Sequence, residues 1–223
     1  MAINPRAFSG VPPLNVTHTY MPAGRASGSS YPESADFKAR RRKGFGLKMS
    51  HNFPSYAECP TVLRQLEGNC GPVAVWMVLR HFRKTANSQH IIRACRHTRK
   101  NGTFTIALAV ALRESGLHVE FHSDRDLHQH RLEREMYRRA KTLGIAVRGA
   151  LTVQKLTAAL RSGRIAVVYF NADERTGHFS PLTSVRRGRL ILPNTERGSM
   201  LIDEFETKWN GPDICRQCIL VSP

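Results

Sequence analysis

Acidic residues, aromatic residues and cysteines are all scarce in this sequence, and each shortage excludes a class of protein. Asp and Glu number 17 against 34 Lys and Arg, which leaves a formal net charge of +17 over 223 residues. The five cysteines are too few and too scattered for a disulfide-stabilised scaffold, so we expect reducing, cytosol-like surroundings. No apolar run approaches the ~20 residues of a membrane span. The N-terminus also lacks the apolar core of a Sec-type signal peptide, so we expect neither feature.

The first quarter of the chain differs in composition from the rest. Residues 1–32 contain no acidic residue, and half of them are Gly, Pro, Ser, Thr or Asn without apolar periodicity. Such a segment cannot bury enough apolar surface to offset the entropy of ordering. The basic run at residues 38–43 is either a solvated linker, an anchor for nucleic acid or membrane, or a nuclear-import signal. We predict a disordered basic extension over residues 1–54 and one domain over residues 55–223.

The globular part has helical patterns first and strand patterns later. Helices are predicted at residues 70–79, 105–115, 125–143 and 152–161. Strands are predicted at residues 164–170, in a hairpin that joins 178–185 to 189–192, and at residues 214–221. Helices followed by antiparallel strands predict an α+β fold.

Cys70 opens an apolar helix and is a candidate nucleophile. It stands in the segment Asn69-Cys70-Gly71-Pro72, ahead of a run that is apolar on every face. A helix N-terminus carries partial positive charge and free N–H groups, which favour the thiolate. The same N–H groups can hold an oxyanion, and Gly71 leaves room for a substrate. The alternative is that Cys70 is a small buried hydrophobic residue.

His178 and Asn194 are the candidate partners of this thiol. A thiol nucleophile needs a base, and the base needs a group that orients it. His178 starts a predicted strand, and Asn194 follows across the predicted hairpin turn. Adjacent strands would place them side by side, so that Asn194 could fix the ring tautomer and leave one nitrogen for Cys70. Taken singly, His178 is equally typical of a core histidine and Asn194 of a turn residue.

The ordered set of motifs resembles a known family. Asn-Cys-Gly-Pro with its apolar helix, the unit at residues 102–117, and Gly177-His178-Phe179 after an apolar strand are similar to the bacteriocin-processing cysteine peptidase-like family. Pro193-Asn194 and Trp209-Asn210-Gly211 resemble its closing segment, and the resemblance covers about residues 58–221. That family is a papain-like branch that cleaves after double-glycine leaders when fused to export transporters. The resemblance implies a papain-like α+β fold, with a buried nucleophile helix packed on an antiparallel sheet.

The resemblance also implies four site residues. Cys70 would be the nucleophile, His178 the general base, and Asn194 the residue that orients His178. Gln65 would donate to the oxyanion together with the Cys70 N–H.

Two alternatives to these assignments stay open. The glutamine of the family lies slightly further before the cysteine, so Asn69 could take the place of Gln65. The family usually has Asp where Asn194 stands, and Asp203 could be the third member instead. Asp203 is also placed to cap the helix that contains Phe205.

Other cysteines and histidines could bind a metal ion. Cys215 and Cys218 form a C-x-x-C pair in a predicted strand, but no second pair accompanies them. Four histidines also cluster in the sequence, and the strand predicted after Gly116 would place His118 and His122 on one face but far apart. These four are His118, His122, His128 and His130. We interpret them as solvated polar surface and predict no metal and no cofactor.

Two functions from different classes fit these features. The first is a papain-like thiol hydrolase that cleaves a peptide or isopeptide bond in a protein or peptide substrate, with acyl transfer to an amine as its variant. The second is a catalytically silent basic binding module. Aromatic residues make up only 8% of the chain and do not alternate with basic ones, which disfavours base stacking on single strands. Fast, selective alkylation of Cys70 would favour the enzyme.

The excess positive charge indicates an anionic partner, nucleic acid or acidic lipid. The helix predicted at residues 125–143 carries much of it: Arg131, Arg134, Arg138, Arg139 and Lys141. Such charge raises encounter rates with anionic surfaces and fades with added salt; the alternative is that it only keeps the protein soluble. The acid-free N-terminus resembles that of effectors that bacteria inject into host cells. We therefore expect either a cytoplasmic protein or secretion without a signal peptide; the sequence does not define the oligomeric state.

We expect deletion of residues 1–50 to leave the domain folded. These residues contribute few apolar groups and no periodic face. The melting temperatures of the full and shortened chains, compared by calorimetry, should agree closely. A large fall on truncation would show that the extension packs on the domain.

Overall fold

The computed structural model describes residues 53–223, except residues 174–175 and 212–213. After a 3-10 turn at Tyr56–Glu58, these residues form the helices α1 (Thr61–Arg64), α2 (Cys70–His81), α3 (Ser88–Ala94), α4 (Thr105–Glu114), α5 (Arg131–Thr142), α6 (Val153–Arg161) and α7 (Ile202–Trp209). The strands are β1 (His118–Ser123), β2 (Ala146–Gly149), β3 (Ile165–Asn171), β4 (Gly177–Leu182), β5 (Ser184–Arg186), β6 (Arg189–Ile191), β7 (Ser199–Leu201) and β8 (Gln217–Ser222). The extension predicted over residues 1–54 lies almost wholly outside the described residues, so its disorder stays a prediction.

The strands form two sheets, and the α+β class is confirmed. The larger sheet has the order β2-β1-β8-β3-β4, and the smaller one has the order β5-β6-β7. All paired strands are antiparallel except β1 and β2. The sheet is therefore mixed rather than antiparallel throughout, because helix α5 connects β1 to β2 and a crossover of this kind joins parallel strands.

The larger sheet is buried on both faces, because successive residues of a strand point to opposite sides. On one face, Phe179 and Ile219 join the core formed with helices α2 to α5. On the other face, Phe170 and Leu220 join a second core with α6, α7 and the smaller sheet. No described helix is both long enough and apolar enough to cross a membrane.

Helix α2 begins at Cys70, as predicted, and packs against β4 and α4. Residues 71–75 and 77–79 are buried, as expected of a helix that is apolar on every face. Gly71 allows Thr103, just before α4, to pack closely against α2, because a Cβ at position 71 would lie 3.1 Å from the Thr103 Cβ. The predicted buried helix behind the candidate nucleophile is therefore confirmed.

Two predicted element bounds are wrong. The helix predicted over residues 125–143 begins only at Arg131, because His130 caps it and its ring accepts a hydrogen bond from the first turn. The last strand begins at Gln217 rather than at residue 214. The residue before it, Arg216, is held by hydrogen bonds to the Asp124 carboxylate.

The predicted hairpin is correct only around its turn. Strands β5 and β6 pair across Arg187 and Gly188, but His178 belongs to β4 of the other sheet and pairs with Phe170 of β3. The chain leaves the larger sheet after Leu182 and enters the smaller one at Ser184. The hairpin argument for placing His178 beside Asn194 is therefore wrong, because the two residues are not on adjacent strands.

The interpretation of the histidine cluster as solvated surface is wrong for His122. Its ring is buried, with 5% of the residue exposed, and Nδ1 lies 3.1 Å from the Gly149 carbonyl oxygen. Its Nε2 lies 3.4 Å from a carboxylate oxygen of Glu120. Strand β2 runs beside β1 and covers this position, so His122 is a satisfied buried histidine. Among the described residues, no group of three metal-ligating side chains could hold an ion.

We expect Gly177→Ala to destabilise the protein because of one ring. A Cβ at Gly177 would overlap the Tyr169 side chain, lying 2.6 Å from Cε2, and that ring packs on Phe179 with centroids 4.7 Å apart. The substitution should lower the free energy of unfolding by about 1–3 kcal/mol, the usual range for overpacking. In a Tyr169→Ala background the same substitution should cost far less. Chemical denaturation of the unsubstituted protein, the two single variants and the double variant measures the coupling energy between the two positions. Equal costs in both backgrounds would contradict this contact.

Candidate active site

The start of α2 concentrates free backbone donors around Cys70. Asn69 is the N-cap, and its carbonyl accepts the first helical hydrogen bond, from the Val73 N–H at 3.0 Å. The N–H groups of Cys70 and Gly71 therefore have no partner within the helix. The third helical residue, Pro72, has no N–H to offer. The donors that the helix itself leaves unused thus lie at the thiol, and those of Cys70 and Gly71 donate to the sulfur.

Burial raises the pKa of the Cys70 thiol. Backbone hydrogen bonds from Phe179, Gly71 and Cys70 itself oppose this rise, because an N–H that donates to the sulfur stabilises the thiolate. Burial outweighs the three donors, so the resting thiol is protonated at neutral pH. A nucleophilic role for Cys70 therefore requires a base to remove the proton.

The tautomer of His178 is the one that such a base requires. It is half-buried on β4, and its Nε2 lies 2.5 Å from the backbone carbonyl oxygen of Asn194. A carbonyl only accepts, so Nε2 carries the ring proton and Nδ1 is the basic nitrogen. Burial lowers the pKa of His178, and the bond to Asn194 partly opposes this. The ring is therefore neutral at neutral pH and able to accept a proton.

Asn194 links His178, Cys70 and the sheet. Its side-chain nitrogen donates to the carbonyl of Phe179 at 2.8 Å and to the carbonyl of Cys70 at 3.3 Å. Its own N–H donates to the Ser180 hydroxyl at 3.2 Å. The structure thus brings Asn194 to both Cys70 and His178, as predicted, but the backbone carbonyl contacts the ring and the side chain does not.

The position of β4 at the edge of the sheet makes these contacts possible. Phe179 pairs with Tyr169 of β3 in the register, and its carbonyl points away from that strand to the Asn194 amide. Along a strand, the N–H and the carbonyl of one residue point to the same side. The Phe179 N–H is therefore also directed outward, where it reaches the Cys70 thiol. One edge residue thus bonds the nucleophile and the Asn194 side chain.

Cys70 and His178 are linked through Asn194 and Phe179 but form no hydrogen bond to each other in the described structure. Phe179, whose backbone bonds the thiol, directly follows His178 in β4. Contacts between a nucleophile and its base are often long in the absence of substrate and tighten in the reacting complex. The arrangement is therefore that of a neutral thiol bonded by the backbone of the residue that directly follows a neutral imidazole in β4.

Gln65 and Asn69 differ in how free their amide groups are. Both N–H groups of the Asn69 amide already donate hydrogen bonds. The amide nitrogen lies 2.7 Å from the Arg64 carbonyl oxygen and 3.2 Å from the Tyr56 hydroxyl oxygen. Gln65 ends α1 and is exposed, and its side chain forms no hydrogen bond with another described residue. Only the Gln65 amide is therefore available to an oxyanion without breaking an existing contact.

Asp203 is neither a cap nor a partner of the histidine. It lies in the first turn of α7 and is exposed, and the residue that caps this helix is Leu201, which makes no side-chain cap bond. To orient His178, Asp203 would have to accept a hydrogen bond from Nε2 of the ring. This nitrogen is already bonded to the Asn194 carbonyl. The expectation that Asp203 caps α7 is therefore wrong, and Asn194 is the residue beside the ring.

A second histidine, which no sequence pattern indicated, holds the loop that leads to Cys70 in place. His97 is half-buried; its Nδ1 lies 3.0 Å from the Thr103 hydroxyl, and its ring also bonds the Glu67 backbone. Burial lowers the pKa of His97, so the neutral ring accepts on one side and donates on the other. Arg99 adds an ion pair to the Glu67 carboxylate at 2.7 Å. The loop is thereby fixed to the segment that packs on Gly71.

Ser180 is the other residue that sequence reasoning missed. It is fully buried on β4, donates to the Pro181 carbonyl at 2.9 Å and accepts the N–H of Asn194. It therefore holds the backbone whose carbonyl orients His178. Ser180 lies two residues after His178, on the same face of the strand. This two-residue spacing could have indicated that Ser180 lies near the histidine.

The comparisons with known proteins give structural neighbours only. No protein-family model matches the chain, and no curated protein matches it. A double-glycine-motif protease from an AMS/PCAT transporter, solved with its leader peptide, is similar at a TM-score of 0.46 and 16% identity, over 69% of this chain and 84% of that one. The peptidase domain of Streptococcus ComA, a bifunctional ABC transporter of a quorum-sensing pathway, is similar at a TM-score of 0.47 and 14% identity, over 69% and 90%. The sequence motifs resemble the same kind of protein.

The contacts of Asn194 predict that Asp, the residue usual in the family, is the worse substitute here. Asn194 is buried and donates to two carbonyls, which a carboxylate would repel. At neutral pH we expect Asn194→Asp to destabilise the protein by about 2–4 kcal/mol, and more than Asn194→Ala, which only leaves the carbonyls unpaired. The stability of Asn194→Asp should recover as the pH falls, because the protonated carboxyl can donate.

Chemical denaturation of both variants at pH 7 and pH 5 tests this expectation. Asn194→Ala keeps the backbone carbonyl beside His178, so it serves as the matched control for the ring contact. An Asn194→Asp protein as stable as the unsubstituted one at pH 7 would contradict the assignment of a donor at this position.

Proposed function

We propose that this chain is a thiol hydrolase that cleaves a peptide or isopeptide bond. The observation that carries the proposal is the joint placement of Cys70 at the unpaired N-terminus of α2 and of His178 on the strand that bonds its thiol. Nucleophile, base and oxyanion donors are the three parts that acyl transfer requires. All three are within one cluster of α2, β4 and the loop that carries Asn194.

The reaction begins with transfer of the Cys70 proton to Nδ1 of His178. The sulfur attacks the substrate carbonyl, a C–S bond forms, and the carbonyl oxygen becomes an oxyanion. The N–H groups at the start of α2 and the free amide of Gln65 stabilise this oxyanion. The imidazolium then returns its proton to the leaving amine as the C–N bond breaks. Water, with its proton taken by the same nitrogen, releases the acid and restores the thiol.

The pKa directions of the two partners favour general-base catalysis over a preformed ion pair. Burial raises the pKa of Cys70 and lowers the pKa of His178, so the neutral forms of both are stabilised in the resting protein. The charge separation then develops with the oxyanion, where free backbone donors can compensate it. Asn194 contributes as a positioning residue, because its carbonyl keeps the proton on Nε2.

Three finer assignments extend this proposal. Acyl transfer to an amine would use the same groups, with the amine in place of water. Delivery into another cell, suggested by the composition of residues 1–54, concerns residues almost wholly outside the described part and stays a prediction. The proposed reaction implies a peptide substrate. None of the contacts described above selects a particular substrate sequence.

We expect Cys70→Ala to abolish hydrolysis and to leave the fold intact. Loss of the nucleophile of a catalytic set typically costs several orders of magnitude in rate. The measurement is a proteomic comparison of new N-termini in an extract treated with the unsubstituted protein and with Cys70→Ala. Cys215→Ala is the matched control, because Cys215 is also a partly buried cysteine outside any disulfide but lies beside Ser123 and Asp124 rather than near Asn194.

The pattern of the three proteins decides the proposal. Cleavage products that appear with the unsubstituted protein and with Cys215→Ala, but not with Cys70→Ala, support it. The same products with Cys70→Ala would overturn it. The absence of new termini with the unsubstituted protein as well as with both variants would favour the silent binding module.

A further inference from the structure

A second feature of the domain lies away from Cys70, in the groove between α3, α4 and α5. The groove encloses about 630 Å³ and is lined by basic side chains from two helical walls. Arg93 and Arg96 come from the α3 side, and Arg138 and Arg139 come from α5. Two acidic residues, Glu114 and Glu135, share the lining.

The acidic residues of the groove are already in use. Glu135 pairs with Arg96 at 2.8 Å, and Glu114 accepts two hydrogen bonds from Arg139, at 2.9 and 2.7 Å. The side chains of Arg93 and Arg138 are exposed and form no ion pair with a described residue. The groove therefore keeps two uncompensated guanidinium groups, one on each wall.

Helix α5 extends this charge into a line. Four basic residues, which we call the α5 stripe, occur at intervals of three, four and three residues, so that they share one helical face: Arg131, Arg134, Arg138 and Lys141. All four are exposed; of the two glutamates of α5, Glu133 is buried, and Glu135, which lies beside the stripe, is paired with Arg96. At 1.5 Å per residue the stripe is about 15 Å long.

The length and chemistry of the stripe fit a nucleic-acid backbone. Along one strand of duplex DNA a phosphate recurs every ~3.4 Å of axis, so about four phosphates span the stripe. Guanidinium groups offer planar, multiple donors that suit phosphate oxygens. The large apolar residues that are exposed, Tyr56, Val62, Leu127, Val147 and Leu201, are not among those that line the groove. Contact with a membrane surface would favour apolar groups beside the cations.

We propose that the α5 stripe, together with Arg93 across the groove, binds the phosphate backbone of nucleic acid. The site is independent of the proposed hydrolase activity, because none of its residues contacts Cys70, His178 or Asn194 through a described hydrogen bond. It holds nucleic acid by charge and spacing, without reading bases, and it accounts for the concentration of arginine on one helix of the domain.

Fluorescence anisotropy with a labelled 20-base-pair DNA duplex tests this site in the full chain, at 50 and 200 mM salt. The variant Arg134→Glu/Arg138→Glu should weaken binding by 10-fold or more at the lower salt. It should also flatten the slope of log affinity against log salt by about 2, at ~0.9 per phosphate contact. The matched control is Lys155→Glu/Arg161→Glu on α6, which changes the net charge equally on the other face of the sheet.

Each outcome decides the proposal. Weak binding by the stripe variant and unchanged binding by the control support it; equal losses in both would show that only net charge matters and would overturn it. No duplex binding at 50 mM salt, or capture by phosphatidylserine vesicles in place of DNA, would also overturn it. Circular dichroism and the alkylation rate of Cys70 verify that both variants fold. If the stripe variant does not, the neutral pair Arg138→Gln/Lys141→Gln replaces it, with an expected slope change in the same direction.

Discussion

The hydrogen bonds of Phe179 at the open edge of β4 are the constraint on which the candidate site depends. A buried backbone group without a partner is costly, and an edge strand has a whole row of such groups on its outer side. Here the N–H of Phe179 meets the Cys70 thiol, and its carbonyl meets the Asn194 amide. Helix α2 and the loop after β6 are therefore both anchored to Phe179, and they supply partners for the backbone groups of the edge that they cover.

This anchoring also sets the protonation of the site. The groups that hold Cys70 bury it, and burial raises the thiol pKa despite three backbone donors. The same enclosure lowers the pKa of His178. A buried ion pair would have to overcome the desolvation of two charges, whereas a neutral pair does not. The neutral forms of both side chains are therefore the favoured resting state of this cluster.

Sequence reasoning predicted the local features of the site and missed the long-range ones. Cys70 could be found because a thiol at the start of an all-apolar helix is a local pattern. The placement of Asn194 near His178 was predicted for a wrong reason, since sheet membership is decided by pairing between distant segments, and β4 pairs with β3 rather than with the hairpin. That its carbonyl and not its side chain meets the ring depends on Ser180 and Phe179, which no spacing along the chain reveals. His97 was hidden among ten histidines for the same reason.

Local and global electrostatics act on different parts of this domain. Despite a net charge of +17, the groups that influence the Cys70 pKa are its burial and three neutral backbone donors. The cations of the α5 stripe cannot substitute for them, because exposed charges are screened by salt over about 10 Å at 0.1 M. Their effect is confined to what approaches the surface of α5. Positive charge that served thiolate formation would have to lie beside the sulfur, whereas the arginines of α5 lie on an exposed face of another helix.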